Sequence, residues 1–145
     1  MNINCKYFHE LSALEVYQML DLRNQIFVVE QNCAYLDTDG ADLDALHLLI
    51  YDQEVLVAYA RLIKPGIKYP TSSIGRVVVH TAYRKKSIGH LLMKHAVQTI
   101  ESVYNTTKIT ISAQSHLQNF YNQHGFRTTS AEYLEDNIPH VQMEK

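Results

Sequence analysis

The sequence predicts a single α/β domain in which a mixed β-sheet carries α-helices on its faces. Strand-like and helix-like segments follow one another in the order β-α-β-β-β-α-β-α-β-β. The chain has 145 residues, of which 46% are apolar and 19% charged, and this is the size and composition of one globular domain. We find no internal repeat, low-complexity stretch or linker. We therefore expect one domain spanning residues 1–145.

Short apolar runs rich in β-branched residues predict the strands. Two of these runs are separated only by a turn at Asp52 and Gln53, so we expect them to form a hairpin. A loop that contains Pro65, Gly66 and Pro70 separates this hairpin from the next strand. The predicted strands cover residues 3–8, 46–51, 55–63, 74–80, 108–113, 126–129 and 138–143.

Capping boxes and apolar periodicity predict three helices. Ser12 with Glu15 and Ser115 with Gln118 have the spacing of the box in which a serine and a residue three positions later cap each other's backbone. The middle helix is predicted from apolar residues at helical spacing, and Gly125 is expected to end the last one. The predicted helices cover residues 13–29, 88–103 and 115–124.

The basic turn between the fourth strand and the middle helix is the most informative segment. Amide groups at the start of a helix have no intrahelical partners and carry the positive end of the helix dipole, so such a turn can cradle a pyrophosphate. Small side chains at Ser87 and Gly89 would let the backbone approach the phosphate oxygens. The neighbouring cationic side chains are Arg84, Lys85 and Lys86. The turn therefore predicts a site for an anionic cofactor.

Composition argues against several other functions. A net charge of −2 disfavours general nucleic-acid binding, which requires a broad basic surface. The sequence shows no signal peptide and no apolar run long enough to span a bilayer, so we expect a cytoplasmic protein that does not bind membranes. Cys5 and Cys33 match no metal spacing and are expected to be reduced thiols. The eight histidines show no metal spacing either, and no metal site is predicted.

Two motifs and the order of elements resemble one known family. Arg84-Lys85-Lys86-Ser87-Ile88-Gly89 resembles the pyrophosphate signature Gln/Arg-x-x-Gly-x-Gly/Ala, with Ser87 in place of the first glycine. Asn119 and Tyr121, followed by Gly125-Phe126, resemble a motif of the last helix in the same family. The chain thus resembles the GNAT superfamily of acetyl-CoA-dependent N-acetyltransferases. Residues 23–31, 45–47 and 113–117 are similar to its small ElaA-like branch.

The resemblance implies a mostly antiparallel sheet whose fourth and fifth strands splay apart, with helices on both faces. It implies acetyl-CoA as cosubstrate, with pantetheine contacting the backbone of the fourth strand. A positive φ at position 87 would suit serine less well than glycine. The cofactor-binding residues implied in this way are Val77, Val78, Val79, Arg84, Lys85, Lys86, Ser87, Ile88, Gly89, Asn119 and Tyr121.

The predicted reaction is acetyl transfer to a primary amine by direct attack, without a covalent enzyme intermediate. A tyrosine hydroxyl is protonated at neutral pH, so Tyr121 is predicted to protonate or hydrogen-bond the leaving CoA sulfur. Many relatives use a glutamate on the fourth strand as the base, but the predicted fourth strand contains none. His47 and Glu30 are the first candidates for a base or an amine-binding carboxylate, with His80 and His116 in reserve.

Several alternatives stay open from the sequence. The aspartates between residues 37 and 44 either steer a cationic amine electrostatically or make local turns in a solvated loop. The acceptor is a small molecule or a peptide, and exposed late strands are compatible with a homodimer. A non-catalytic acyl-CoA sensor would keep the basic turn but would need neither Tyr121 nor a base. A further alternative is transfer of a longer acyl chain.

Overall fold

The computed structural model describes residues Met1–Lys145 as one mixed sheet of eight strands with three α-helices. Short 3-10 turns and one π-helical segment connect these elements. The strands are β1 Asn2–Tyr7, β2 Leu46–Asp52, β3 Val55–Ile63, β4 Ser72–Val79, β5 Ile109–Gln114, β6 Arg127–Thr128, β7 Tyr133–Glu135 and β8 Ile138–Glu144. The helices are α1 Ala13–Arg23, α2 Ile88–Val103 and α3 Gln118–Asn122.

The sheet is antiparallel everywhere except between its two central strands. The strand order is β1-β2-β3-β4-β5-β8-β6, and β7 pairs with β8. β4 and β5 run parallel and pair only at Ser72↔Ile109 and Ser73↔Thr110. Beyond these two pairs the strands diverge, which confirms the predicted mixed sheet with splayed fourth and fifth strands.

Helices cover both faces of the sheet because successive side chains of a strand point to opposite faces. On β2, Leu48 and Ile50 pack in the larger apolar cluster together with residues of α2. Leu49 and Tyr51 pack instead in a smaller cluster with Met19 and other residues of α1. The predicted arrangement of helices on both faces is confirmed. No helix of the structure is long and apolar enough to cross a membrane.

The first predicted helix begins as expected and ends differently. The Glu15 amide donates to Ser12 Oγ at 3.1 Å and the Ser12 amide donates to Glu15 Oε1 at 2.9 Å, so the capping box forms. After Arg23 the chain continues as a π-helix over Asn24–Glu30. This wider turn changes the direction of each side chain, and Val29, predicted on the apolar face, is 74% exposed.

Two local predictions near the C-terminus are wrong. The second capping box does not form, because a 3-10 turn over Ser115–Leu117 precedes α3 and leaves Ser115 Oγ buried without a partner. Strand β7 was missed because its side chains are all exposed and give no apolar alternation. It is joined to β8 by Asp136 and Asn137, both with positive φ, as a two-residue hairpin turn requires.

Candidate active site

A cleft of about 590 Å³ opens where β4 and β5 diverge. Both strands run towards it with their C-terminal ends, and such ends are where α/β sheets bind ligands. One wall is β4 with the segment that follows α1, and the other is β5, α3 and the β7–β8 hairpin. The lining residues used below are Glu30, Gln31, Cys33, Lys68, Gly75, Arg76, Val77, Val78, Val79, Arg84, Gly89, Ser112, Gln114, His116, Phe120, Tyr121, Glu135, Asp136 and His140.

The β4 wall contains a β-bulge. Tyr59 pairs with Val78 and Arg61 pairs with Gly75, so one residue of β3 opposes two residues of β4 between these pairs. Arg76 in the bulge has φ +51°, a conformation that costs a non-glycine residue roughly 1 kcal/mol or more. The bulge interrupts the ladder of β4 where this strand lines the cleft. Contact between pantetheine and this backbone stays a prediction.

The loop that carries the aspartates between residues 37 and 44, called the acidic loop below, holds the bulge in position. Arg76 Nε lies 2.9 Å from Asp37 Oδ1, and Arg76 Nη2 donates to the Asp37 carbonyl at 2.9 Å. Asp39 Oδ2 lies 3.4 Å from the same guanidinium nitrogen. Asp37 and Asp39 are thus paired with arginine and are not free to steer an amine, which corrects that expectation. Asp39 also makes a local turn of the predicted kind, since its Oδ1 accepts from the Ala41 amide at 3.0 Å.

His47 belongs to the buried part of this ion-pair network and not to the cleft. Its Nε2 lies 2.8 Å from the Asp42 carbonyl and must donate, so Nδ1 accepts from the Tyr59 hydroxyl at 2.7 Å. The ring is 0% exposed, and burial lowers its pKa. With both nitrogens occupied, His47 has no free site for a substrate proton. The expectation that it serves as the base is therefore corrected.

Two fully buried arginines complete the network around His47. Arg23 Nε lies 2.7 Å from Asp37 Oδ2, and its Nη1 lies 2.8 Å from Asp42 Oδ1. Arg61 Nη1 contacts Asp42 at 3.0 Å. Removing one side chain from this buried set would leave a buried charge without its partner, which strongly destabilises the folded protein. The sequence showed four aspartates but gave no signal of which arginines they would meet.

The basic turn leads into α2 with a strained backbone. Ser87 has φ +59° and Lys85 φ +63°, so position 87 does adopt the conformation that favours glycine. The Ser87 side chain caps no amide of the helix that begins at Ile88. The first amides of α2 thus keep their donors for a ligand. At Gly89 a Cβ atom would lie 3.4 Å from Phe120 Cζ, so a small residue suits this position.

Arg84 of the basic turn is paired with Glu30 of the segment that follows α1. Its two terminal nitrogens each lie 2.6 Å from one carboxylate oxygen of Glu30, which is a bidentate pair. The hydrogen bonds from Arg84 lower the pKa of Glu30. A carboxylate held in this way is a poor acceptor for a substrate proton. Of the six turn residues only Arg84 and Gly89 line the cleft itself.

Tyr121 on α3 faces the cleft from a buried position. It is 6% exposed, and burial raises its pKa to about 12. The phenol therefore keeps its proton at neutral pH and can donate it. Asn119, predicted to face the cofactor as well, is exposed and does not line the cleft, whereas Phe120 does.

The reserve histidines differ in their placement. His116 is exposed and lines the cleft beside α3. His80 does not line it, and its Nδ1 accepts from the Ala82 amide at 3.1 Å. No group of three or more histidine, cysteine, aspartate or glutamate side chains is arranged to hold a metal ion.

The wall formed by the β7–β8 hairpin was not predicted. Gln114 Nε2 donates to Gln31 Oε1 at 3.2 Å, and Cys33 Sγ lies 3.5 Å from the Asp136 carbonyl. These two contacts join the hairpin side of the cleft to the segment after α1. The Asp136-Asn137 dipeptide was the available signal for this hairpin, since such residues tolerate positive φ.

Comparison with known proteins agrees with this architecture. The sequence matches the family model described as "Acetyltransferase (GNAT) domain" over residues 15–145. It is 43% identical over 136 residues to protein ElaA of Escherichia coli, covering 92% of this chain and 89% of that protein. The crystal structure of E. coli ElaA superposes with a TM-score of 0.93 at 39% identity, covering 99% of this chain and 98% of that one.

Two further solved structures share the fold. An acyl-CoA N-acyltransferase from Pseudomonas aeruginosa is 41% identical with a TM-score of 0.94, covering 100% of this chain and 99% of that one. An aminoglycoside 6'-N-acetyltransferase complexed with coenzyme A, only 17% identical, superposes with a TM-score of 0.74 over 98% of this chain and 96% of that one. The chain is therefore an acyltransferase that belongs to the GNAT acetyltransferase family.

Proposed function

We propose that the protein transfers an acetyl group from acetyl-CoA to a primary amine by direct attack within a ternary complex. The observation that carries this proposal is one cleft with a helix N-terminus and an arginine on one wall and a protonated tyrosine on the other. The coenzyme A complex of the aminoglycoside acetyltransferase, which shares the fold, supports the choice of cofactor.

The phosphate groups are assigned to the basic turn. The first amides of α2 would bind the pyrophosphate, and the hydroxyl of Ser87 can add one hydrogen bond. Lys85 and Lys86 are exposed and supply charge, while Arg84 must leave Glu30 to reach a phosphate. Beyond the turn, pantetheine would lie along the β4 backbone at Val77, Val78 and Val79, which line the cleft.

Tyr121 is assigned to the leaving group. When the amine nitrogen attacks the thioester carbon, the C–S bond breaks and the sulfur leaves as a thiolate. The pKa of Tyr121, about 12, lies well above the ~8.5 of a CoA thiol, so the hydroxyl keeps its proton and stabilises the leaving thiolate by donating a hydrogen bond to it. General-acid assistance of this kind is worth about 10²–10⁴-fold in rate.

The amine proton requires a separate acceptor. An amine with a pKa of ~10.4 pays roughly 4.6 kcal/mol to be neutral at pH 7. We assign this proton to water or to the imidazole of His116, which is exposed in the cleft. Glu30 is assigned to holding Arg84 in the absence of cofactor.

Calorimetry followed by a turnover assay tests the proposal. Acetyl-CoA and CoA are titrated into the protein, and a panel of primary amines is then screened for thiol release with acetyl-, butyryl- and octanoyl-CoA. We expect tight cofactor binding and amine-dependent thiol release that is fastest with acetyl-CoA. Binding without turnover on any amine would favour the acyl-CoA sensor. Faster release from the longer thioesters would favour the long-chain acyltransferase.

A further inference from the structure

A polar network lines the cleft on the hairpin wall, outside every group used above. The Tyr133 hydroxyl lies 2.5 Å from Ser112 Oγ, and Ser112 Oγ lies 3.2 Å from Glu135 Oε1. His140 Nε2 lies 3.2 Å from the other oxygen of the same carboxylate, Oε2. The network thus joins β5, β7 and β8 and converges on Glu135.

The hydrogen bonds around Glu135 leave most of its carboxylate group free. His140 is 7% exposed, and its Nδ1 lies 2.7 Å from the Ile138 carbonyl, so Nδ1 must donate and Nε2 of the neutral ring carries no proton to give to Glu135. Ser112 can donate to Oε1 while it accepts from Tyr133. A carboxylate accepts about four hydrogen bonds, and Ser112 supplies one of them here. The Glu135 side chain is 46% exposed, so its remaining lone pairs are open to a ligand.

The other charges in the cleft are already compensated. Glu30 is paired with Arg84, and Arg76 is paired with aspartates of the acidic loop. The carboxylates that remain without an arginine are Glu135 and Asp136, both on the hairpin. Lys68, on the loop between β3 and β4, lines the same cleft, and burial lowers its pKa.

We propose that Glu135, held by Ser112, binds a cationic group of the acceptor, and that the acceptors are amines with a second ammonium group. The attacking amine must be neutral, whereas a carboxylate favours the charged form of its ligand. The group at Glu135 is therefore not the nucleophile but a second positive charge on the same molecule. This inference rests on the proposed function, because it assigns this cleft to the acceptor.

Three probes with four carbon atoms each test the charge preference. 1,4-Diaminobutane, butylamine and 4-aminobutanoate share one reactive amine and end in an ammonium, a methyl and a carboxylate group. Binding of each is measured by calorimetry to the free protein and to its CoA complex. We expect the diamine to bind about tenfold more tightly than butylamine, the effect of one charge-assisted hydrogen bond. 4-Aminobutanoate should bind most weakly.

Substitutions separate Glu135 from general charge effects. Glu135→Gln keeps the shape of the side chain and should abolish the advantage of the diamine over butylamine. Glu132→Gln removes an exposed acid just before β7 and should leave that advantage intact. Lys68→Gln removes the one lysine ammonium group that lines the cleft, which would repel a cationic ligand, and should strengthen diamine binding. Thermal denaturation of each variant verifies that it is folded.

The outcomes distinguish this inference from the proposed function. Equal binding of the three probes, tighter binding of 4-aminobutanoate, or an undiminished diamine preference in Glu135→Gln would overturn the role of Glu135. So would an absence of diamine binding at millimolar concentration. CoA titrations on the same samples report on the cofactor cleft alone, so a protein that binds the diamine selectively but never binds CoA would overturn the proposed function instead.

Discussion

Replacing Glu30 with glutamine is expected to tighten CoA binding, although it removes an interaction that stabilises the free protein. The pair between Arg84 and Glu30 has 2.6 Å contacts, and its side chains are 40% and 39% exposed. Exposed pairs contribute ~0.2–1 kcal/mol, and a bidentate arginine lies at the upper end. If Arg84 binds the pyrophosphate of CoA, the ion pair between Arg84 and Glu30 must break when CoA binds. Its removal should lower the Kd for CoA about two- to fivefold.

Calorimetry with CoA and with pantetheine tests this prediction. Pantetheine lacks the pyrophosphate, so its affinity should be the same in the wild type and in Glu30→Gln. Glu101→Gln, which removes an exposed acid on α2, controls for net charge and should leave both affinities unchanged. Unchanged or weaker CoA binding by Glu30→Gln would refute the reasoning, because it would mean that Arg84 keeps Glu30 in the complex.

The remaining predictions concern the turn, the leaving group and pH. Arg84→Ala should raise KM for acetyl-CoA more than it lowers kcat, since the contact is remote from the reacting carbonyl; an unchanged KM would argue against a phosphate contact. Tyr121→Phe should lower kcat by about tenfold or more with little effect on CoA affinity, and wild-type turnover would return the tyrosine to a purely structural role. Ser87→Gly should relieve a positive φ and raise the free energy of unfolding by roughly 0.5–1 kcal/mol, measured by urea denaturation; a loss of stability would contradict the strain. The pKa values of His47 and His124 are both lowered by burial, so the unfolded chain takes up their protons first. Stability should therefore be full above about pH 6.5 and fall as the pH drops below it, and equal urea midpoints at pH 7.5 and 5.5 would contradict this sign.

Local sequence signals predicted the architecture well where the structure of an element depends on its own residues. The hairpin strand Val55–Ile63 and the helix Ile88–Val103 have the predicted bounds, because alternation and helical periodicity act over neighbouring residues. The divergence of β4 and β5 was predicted from the family resemblance and not from local sequence signals. The π-helix over Asn24–Glu30 was not predicted, since the apolar positions as far as Val29 fit an ordinary α-helix. The ion pair of the buried Arg23 with Asp37, just before this segment, is likewise not visible in the local sequence.

The candidate site was predictable only on its cofactor side. The basic turn is one continuous segment, so its residues can be recognised together in the sequence. The hairpin wall combines Ser112, Glu135 and His140 from three strands, and nothing in their spacing brings them together before the sheet is formed. His47 shows the converse error, because its imidazole suggested a base, whereas folding occupies both ring nitrogens with the Asp42 carbonyl and the Tyr59 hydroxyl.

The two residue pairs that join β4 to β5 also bear on how the molecule opens. Strands β1–β4 form one antiparallel meander and β5–β8 another set, and the backbone pairing between them is confined to Ser72 and Ser73. Proteins exchange amide hydrogens through cooperative units whose boundaries follow such weak junctions. We expect the two strand sets to exchange as separate units in the free protein. Pantetheine bound between β4 and β5 would join the two strand sets. CoA should therefore slow amide exchange in β5 and β8, far from the basic turn proposed to bind its phosphates.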